Sequence, residues 1–255
     1  MSDVELRIGM RSYDHLMPLF SGQVPTPGLK LVITKTDDLT IPRDDLDLPE
    51  PGLFDAGEVG FNRYVLAAAK QLPDHIIGLP AFVLRNFRHR CWYVRRDSPL
   101  QTLKDLKGKR VGTDSWNDTG TMWSRAAMRD AGVELDQVQW VLGKLSATVS
   151  QKKATPGTDS EPAGGAEKLA EGQYLLDALE SGSIDAITTA STPEDIYKPG
   201  GRFRRLLQNY PEVEAEYRKR MGFRPGLHII AVRQDFVERH PEAVLVLMDA
   251  LEQAW

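Results

Sequence analysis

A single cysteine, Cys91, stands in 255 residues. No intrachain disulfide can form, so packing and hydrogen bonds must hold the fold. Set in the apolar phrase RCWYV, Cys91 reads as a small buried hydrophobe rather than a nucleophile. Long apolar runs are missing too, and nothing approaches the ~20 residues of a membrane-spanning helix. The N-terminus has no basic segment leading into an apolar core, so no secretory signal is visible and the cytoplasm is the expected compartment. Positive charge is not in excess. The 32 Lys and Arg against 36 Asp and Glu leave a net charge of -4, which argues against nucleic-acid and anionic-membrane partners. There is no phosphate loop, no dinucleotide fingerprint, no GxSxG elbow and no local metal spacing such as HxxxH or CxxC.

What is present suits a globular chain with a sizeable core. Hydrophobic residues make up 41% and charged residues 27%, and the length allows one large domain or two smaller ones. ELRIGM and GLKLVIT read as strands, and FNRYVLAAAKQL has helical spacing. Between them, DDLTIPRDDLDLPEPGLFDAGEVGF is acidic and Pro-rich and reads as loop with one short helix. HIIGLPAFV and CWYVRR read as strands. In SPLQTLKDLKGKRVGT a helical turn with Leu103 and Leu106 inward ends at Gly108 and leads into a brief strand. A helix follows, capped near Asp118 or Thr119 and stopped by Gly132. VQWVLG is the next strand. From Gly143 to Gly172 the chain lacks large apolar residues over SQKKATPGTDSEPAGGAEK and reads as a flexible loop. A helix bearing Leu175, Leu176 and Leu179, the strands DAITTA and GRFRRLL, the polar helix YPEVEAEYRKRMG, and a final strand and helix complete the chain. That last helix reaches Trp255 without a Gly, Asn or Pro stop, so the natural protein is expected to continue.

Alternating strands and helices predict an α/β fold. In such folds ligands bind beyond the carboxyl ends of strands. That position belongs here to RSYDHLMPLF, which follows the first strand directly.

LKDLKGKRVGT and LLDALESGSIDAITTA resemble the type II periplasmic-binding-protein fold. RSYDHLMPLFSGQVPTPGLKL, FDAGEVGFNRYVLA and GLPAFVLRNFRHRCWYVRRDSPL resemble the 4,5-dihydroxyphthalate decarboxylase family. The resemblance runs from about residue 5 to 130 and from about 173 to 245; the 143–172 stretch departs from it. It implies a two-lobed fold with a ligand cleft between the lobes. Residues 1–92 plus 223–255 would form the first lobe and 93–222 the second, with crossings near Tyr93 and Gly222. It also implies a carboxy-lyase of aromatic catabolism, which turns 4,5-dihydroxyphthalate into 3,4-dihydroxybenzoate. The alternative is a solute-binding protein for a small aromatic or other carboxylate, since the fold serves both.

Such a decarboxylation needs an acid for the ring carbon, a base near the phenol and cations for the remaining carboxylate. It requires no cofactor. His15 and His89 are the candidate proton donors, because an imidazole titrates near neutral pH. Asp14 is a further catalytic candidate or the cap of the following helix. Glu58 is a base or a residue at a helix N-terminus. Arg11 and Arg88 would bind carboxylate bidentately, and strand alternation would put Arg88 and Arg90 on one face with His89 on the other. Ser115, Asn117 and Thr119 would contact an anion at a helix start, Trp116 would stack on an aromatic ring, and His228 would face the cleft. A divalent metal held by His15, His89 and His228 is left open, as is homo-oligomerisation.

Overall fold

The computed structural model describes residues 3–36, 46, 52–71, 75–149, 162 and 164–254. The chain first lays down β1 (Val4–Met10), β2 (Leu29–Lys35), β3 (Ala56–Gly60) and β4 (Ile76–Arg85). It then forms β5 (Trp92–Arg95), β6 (Arg110–Thr113), β7 (Gln139–Leu142), β8 (Glu167–Lys168), β9 (Ala186–Thr188) and β10 (Phe203–Arg205), and closes with β11 (Gly226–Arg233). Two compact units result: Met1–Arg85 with Gly226–Trp255, and Asn86–Pro225. The crossings therefore fall seven residues or so earlier, and three later, than Tyr93 and Gly222. The cause is pairing and packing. Gly226 already pairs with Arg85, so β4 and β11 belong to the first unit up to those residues. Phe87 packs edge-on against Tyr217, and Arg90 binds Glu214, so the 86–92 stretch goes with the second unit.

The first unit is a five-stranded sheet in the order β2-β1-β3-β11-β4. β1 runs parallel to β2 and β3, whereas β11 is antiparallel to β3 and β4. Alternation along β1 sends Leu6, Ile8 and Met10 to one face. There they meet Ile230 and Val232 of β11, and Ala243, Val244, Leu247 and Ala250 of the Pro241–Gln253 helix. The other face of β11 sends Ile229 and Ala231 against Val59, Phe54 and Tyr64. Burial on both sides explains the unbroken apolar stretch Ile229–Val232 within β11. β4 carries Pro80 and lies at the sheet edge, where a missing N–H is tolerated.

AGEVG, read as loop or helix start, is strand β3 at the centre of this sheet. Its small residues hide the alternating pattern of a strand, and the pairing with β1 and β11 supplies the structure that the local sequence does not announce.

The second unit is a six-stranded sheet in the order β10-β5-β9-β6-β7-β8. One face gathers Trp92, Val94, Val111, Trp140 and Ala186 beneath Ala127 and Met128 of the Thr119–Asp130 helix. The opposite face gathers Tyr93, Val141, Ile187 and Phe203 against Leu175 and Leu179. The Asp118 cap is built as the sequence signalled, its carboxylate accepting from Gly120 N–H at 2.7 Å; the Leu103–Leu106 turn opens not at Ser98 or Pro99, as the sequence suggests, but at Thr102, which forms a capping box with Asp105. The 143–172 stretch is only partly the loop expected. Glu167–Lys168 adds to β7 as β8, and Lys144 bridges to Tyr174; residues 150–161 and 163 lie outside the described residues. Among the described residues no helix is long and apolar enough to cross a membrane.

Candidate functional site

Strand register assembles a polar group at the end of the first unit's helix-covered face. β1 and β3 are parallel with Gly9 beside Gly57, so Glu58 comes level with the end of β1. Across the antiparallel pair, Glu58 stands opposite Ile230, and Gly60 opposite His228. Residues two apart share a face, so Glu58 and His228 are diagonal neighbours on the face of Ala56, Ile230 and Val232.

Glu58 is wholly buried, and its carboxylate is saturated with donors. Arg11 N–H donates to Oε2 at 3.0 Å. The Tyr13 hydroxyl donates to Oε1 at 2.5 Å, and His228 Nδ1 lies 2.6 Å from the same oxygen. Burial by itself would push the Glu58 carboxyl up. Hydrogen bonding and charge from His228, with the Tyr13 and Arg11 donors, outweigh burial and hold it below the usual carboxylate range. Burial, with the charge and hydrogen bond of Glu58, drives the Tyr13 phenol far up against the smaller pull of Arg11. Tyr13 is thus a fixed donor.

An ionised carboxylate only accepts, so the His228 proton that faces it sits on Nδ1. Nε2 is then the ring nitrogen left outside the Glu58 contact. A carboxylate behind an imidazole both fixes the ring's tautomer and stabilises the imidazolium. The side chain of His228 is 16% exposed while Glu58 has none of its surface exposed. The pair therefore presents one half-open imidazole backed by a buried charge.

The remaining first-unit candidates take other positions. His15 stacks on Tyr13 with ring centroids 5.5 Å apart, and its Nε2 lies 3.1 Å from the Val83 carbonyl. A carbonyl cannot donate, so that nitrogen carries the hydrogen and is held by the backbone. Asp14 is exposed and opens the Asp14–Leu16 turn, outside the Glu58 group. Arg11 contributes its backbone N–H to Glu58 and its guanidinium to Tyr13.

The second unit holds the others. Residues His89–Cys91 form a 3-10 turn, so the strand alternation expected for Arg88, His89 and Arg90 does not apply. His89 is 5% exposed, with its ring 4.8 Å from Tyr217, and burial pushes its pKa down. It packs as a buried aromatic in the second unit, apart from the Glu58 group. Arg88 lies against the first turn of the Thr119–Asp130 helix: a Cβ on Gly120 would come 2.8 Å from its Nε, and Nη1 reaches Cys91 Sγ at 3.8 Å. Its Nε is buried with no hydrogen-bond partner among the described residues. Thr119 is buried in the first turn of the helix, and Asn117 is half-buried just before the cap. The Ser115 carbonyl accepts from Thr113. A cation beside a helix N-terminus suits an anion. Trp116 has its ring engaged within the unit, by Arg125 at 3.7 Å and edge-on by Trp140 at 5.1 Å. Cys91 is buried, and burial raises its thiol pKa, as a core residue requires.

Sequence reasoning named Glu58 and His228 separately but missed Tyr13 as their partner. The only signal was the position of Tyr13 in YDH, directly after a strand. Among the described residues no three His, Cys, Asp or Glu side chains are grouped to hold a metal ion.

The fold is that of the two-lobed periplasmic binding proteins. The structure matches the periplasmic aliphatic sulphonate binding protein SsuA of Escherichia coli with a TM-score of 0.58 and 15% identity, over 99% of this chain and 73% of that one. It matches the alkanesulfonate-binding SsuA of Xanthomonas axonopodis pv. citri, bound to MOPS, with a TM-score of 0.51 and 16% identity, over 100% and 74%. A family model described as NMT1/THI5 like matches residues 56–155. In sequence the chain is similar to proteins named 4,5-dihydroxyphthalate decarboxylase. The Comamonas testosteroni protein is 27% identical over 256 residues, 100% of this chain and 76% of the relative. The Pseudomonas putida protein is 26% identical over 231 residues, 87% of this chain and 80% of the relative. The family resemblance and the fold class read from the sequence are both borne out.

Proposed function

We propose that the protein is a decarboxylase of a hydroxylated aromatic dicarboxylate, with 4,5-dihydroxyphthalate as substrate and 3,4-dihydroxybenzoate as product. The observation that carries this reading is the buried Glu58 carboxylate joined to His228 Nδ1 and to the Tyr13 hydroxyl. The similarity to proteins named 4,5-dihydroxyphthalate decarboxylase, over 76% and 80% of their lengths, supports it.

In this mechanism the His228 imidazolium gives its Nε2 proton to the ring carbon that bears the departing carboxylate. The hydroxyl para to that carbon releases electron density into the ring as the proton arrives. The bond from ring carbon to carboxylate then breaks, its electron pair restores aromaticity, and carbon dioxide leaves. Glu58 stabilises the imidazolium before transfer and keeps Nε2 aimed. Tyr13 and the Arg11 N–H keep Glu58 ionised. His15, stacked on Tyr13, is a wall of the group rather than its proton donor.

The solute-binding reading draws on the fold shared with the sulphonate-binding proteins. The buried carboxylate counts against it, because a receptor for an anion gains nothing from a negative charge behind its donor. Carbon dioxide release from 4,5-dihydroxyphthalate, measured with the purified protein, tests the proposal. His228→Gln is expected to lower kcat by roughly 10²–10⁴-fold, the size of a general acid's contribution. Tight binding of the compound with no release by the unaltered protein would overturn the enzyme reading in favour of the receptor.

A further inference from the structure

The second unit carries a groove of about 650 Å³ lined by Asn86, Arg90, Glu214, Arg218, Lys219 and Arg224, among others. The size suits a small ligand. Its charge is lopsided. Glu214 is buried and already held by Arg90, whose Nε lies 3.1 Å from both carboxylate oxygens and whose backbone N–H donates at 3.2 Å. That pair cancels. Arg218, Lys219 and Arg224 remain, all exposed and with no acidic partner among the described residues.

Cations in the last turn of a helix are common, because they complement its dipole. Arg218 and Lys219 of the Tyr210–Met221 helix fit that account, and the neighbouring Arg220 is engaged by Asp130. Arg224 does not fit it. It lies beyond the Gly222 cap, with its guanidinium over the Phe87 ring at 5.9 Å, and it lines the same groove. The chain as a whole is net negative, so this concentration of positive charge is local.

We infer that this groove binds a compact polyanion whose charge is carried by phosphate or carboxylate oxygens. Arg218 and Arg224 would each supply planar guanidinium donors, Lys219 a point charge, and the Arg90–Glu214 pair a rigid floor.

Isothermal titration of the full chain at roughly 0.15 M salt, with pyrophosphate and with citrate as probes, tests this. Saturable binding of one equivalent is expected. The double variant Arg218→Ala/Arg224→Ala should weaken it about tenfold or more, the loss of a charge-assisted contact. Lys104→Ala/Lys107→Ala, which removes two exposed cations outside the groove, should leave it unchanged, as should His228→Gln. Tighter binding of pyrophosphate would identify a phosphate-bearing ligand, and tighter binding of citrate a polycarboxylate; either supports the site. No saturable binding of either probe would overturn it. Equal weakening by both double variants would also overturn it, as diffuse attraction.

Discussion

Glu58 is a charge with no exposed surface, and its environment has a measurable pH signature. Its carboxyl is held below the ordinary value, so its stabilising contribution is complete above about pH 4.3, where the unfolded carboxyl ionises. That contribution is lost as pH falls through the lowered native value. Urea unfolding across acid pH should therefore show the gap between wild type and Glu58→Gln shrinking below about pH 4.3. Tyr13→Phe deletes one donor to this buried charge and is expected to cost about 1.5–3 kcal/mol at neutral pH. His89 differs in chemistry but agrees in sign. Burial keeps it neutral in the fold, so the unfolded state takes up a proton first as pH drops below about 6.5. Stability should decline over that window in wild type, and His89→Phe should flatten the decline. An unchanged slope in that variant would mean that His89 is not the buried titrating group.

At the scale of elements, two small features are placed by sequence and enforced by packing. Asp118 caps the Thr119–Asp130 helix, and Asp118→Ala should lower the melting free energy by about 1 kcal/mol, with Asp118→Asn recovering most of it. Gly226 opens β11 where a Cβ would come 2.4 Å from the Phe82 ring. Gly226→Ala should cost about 1–3 kcal/mol through displacement of that ring, and Phe82→Leu in the same chain should relieve part of it. The helix cap was legible because Asp-Thr-Gly before an apolar period is a local signal. β3 was not legible. Its residues are small and one is charged, and what makes AGEVG a strand is a slot between β1 and β11 that arrives from distant parts of the chain.

For the whole molecule, the two units hold separate cores, and the described tryptophans, Trp92, Trp116, Trp123 and Trp140, all lie in the second. Leu247 is buried in the core of the first. In a Trp255→Phe background, Leu247→Ala should move the circular-dichroism unfolding transition by the 2–5 kcal/mol typical of a buried leucine, or roughly that. Tryptophan fluorescence should move less, so that the two probes no longer coincide. Coincident shifts would show one cooperative unit instead of two.

The sequence by itself determined the α/β class, most strands and helices, the Asp118 cap and the family resemblance. Those signals are local: hydrophobic period, cap residues and short phrases that need no partner to be recognised. It also placed Glu58 and His228 among the candidates, but as unrelated residues 170 positions apart. Only the tertiary structure joined them, because their contact depends on the antiparallel register of β3 with β11. The same dependence made His89 a buried ring in a 3-10 turn, packed against Tyr217 of the Tyr210–Met221 helix, which no local period announces.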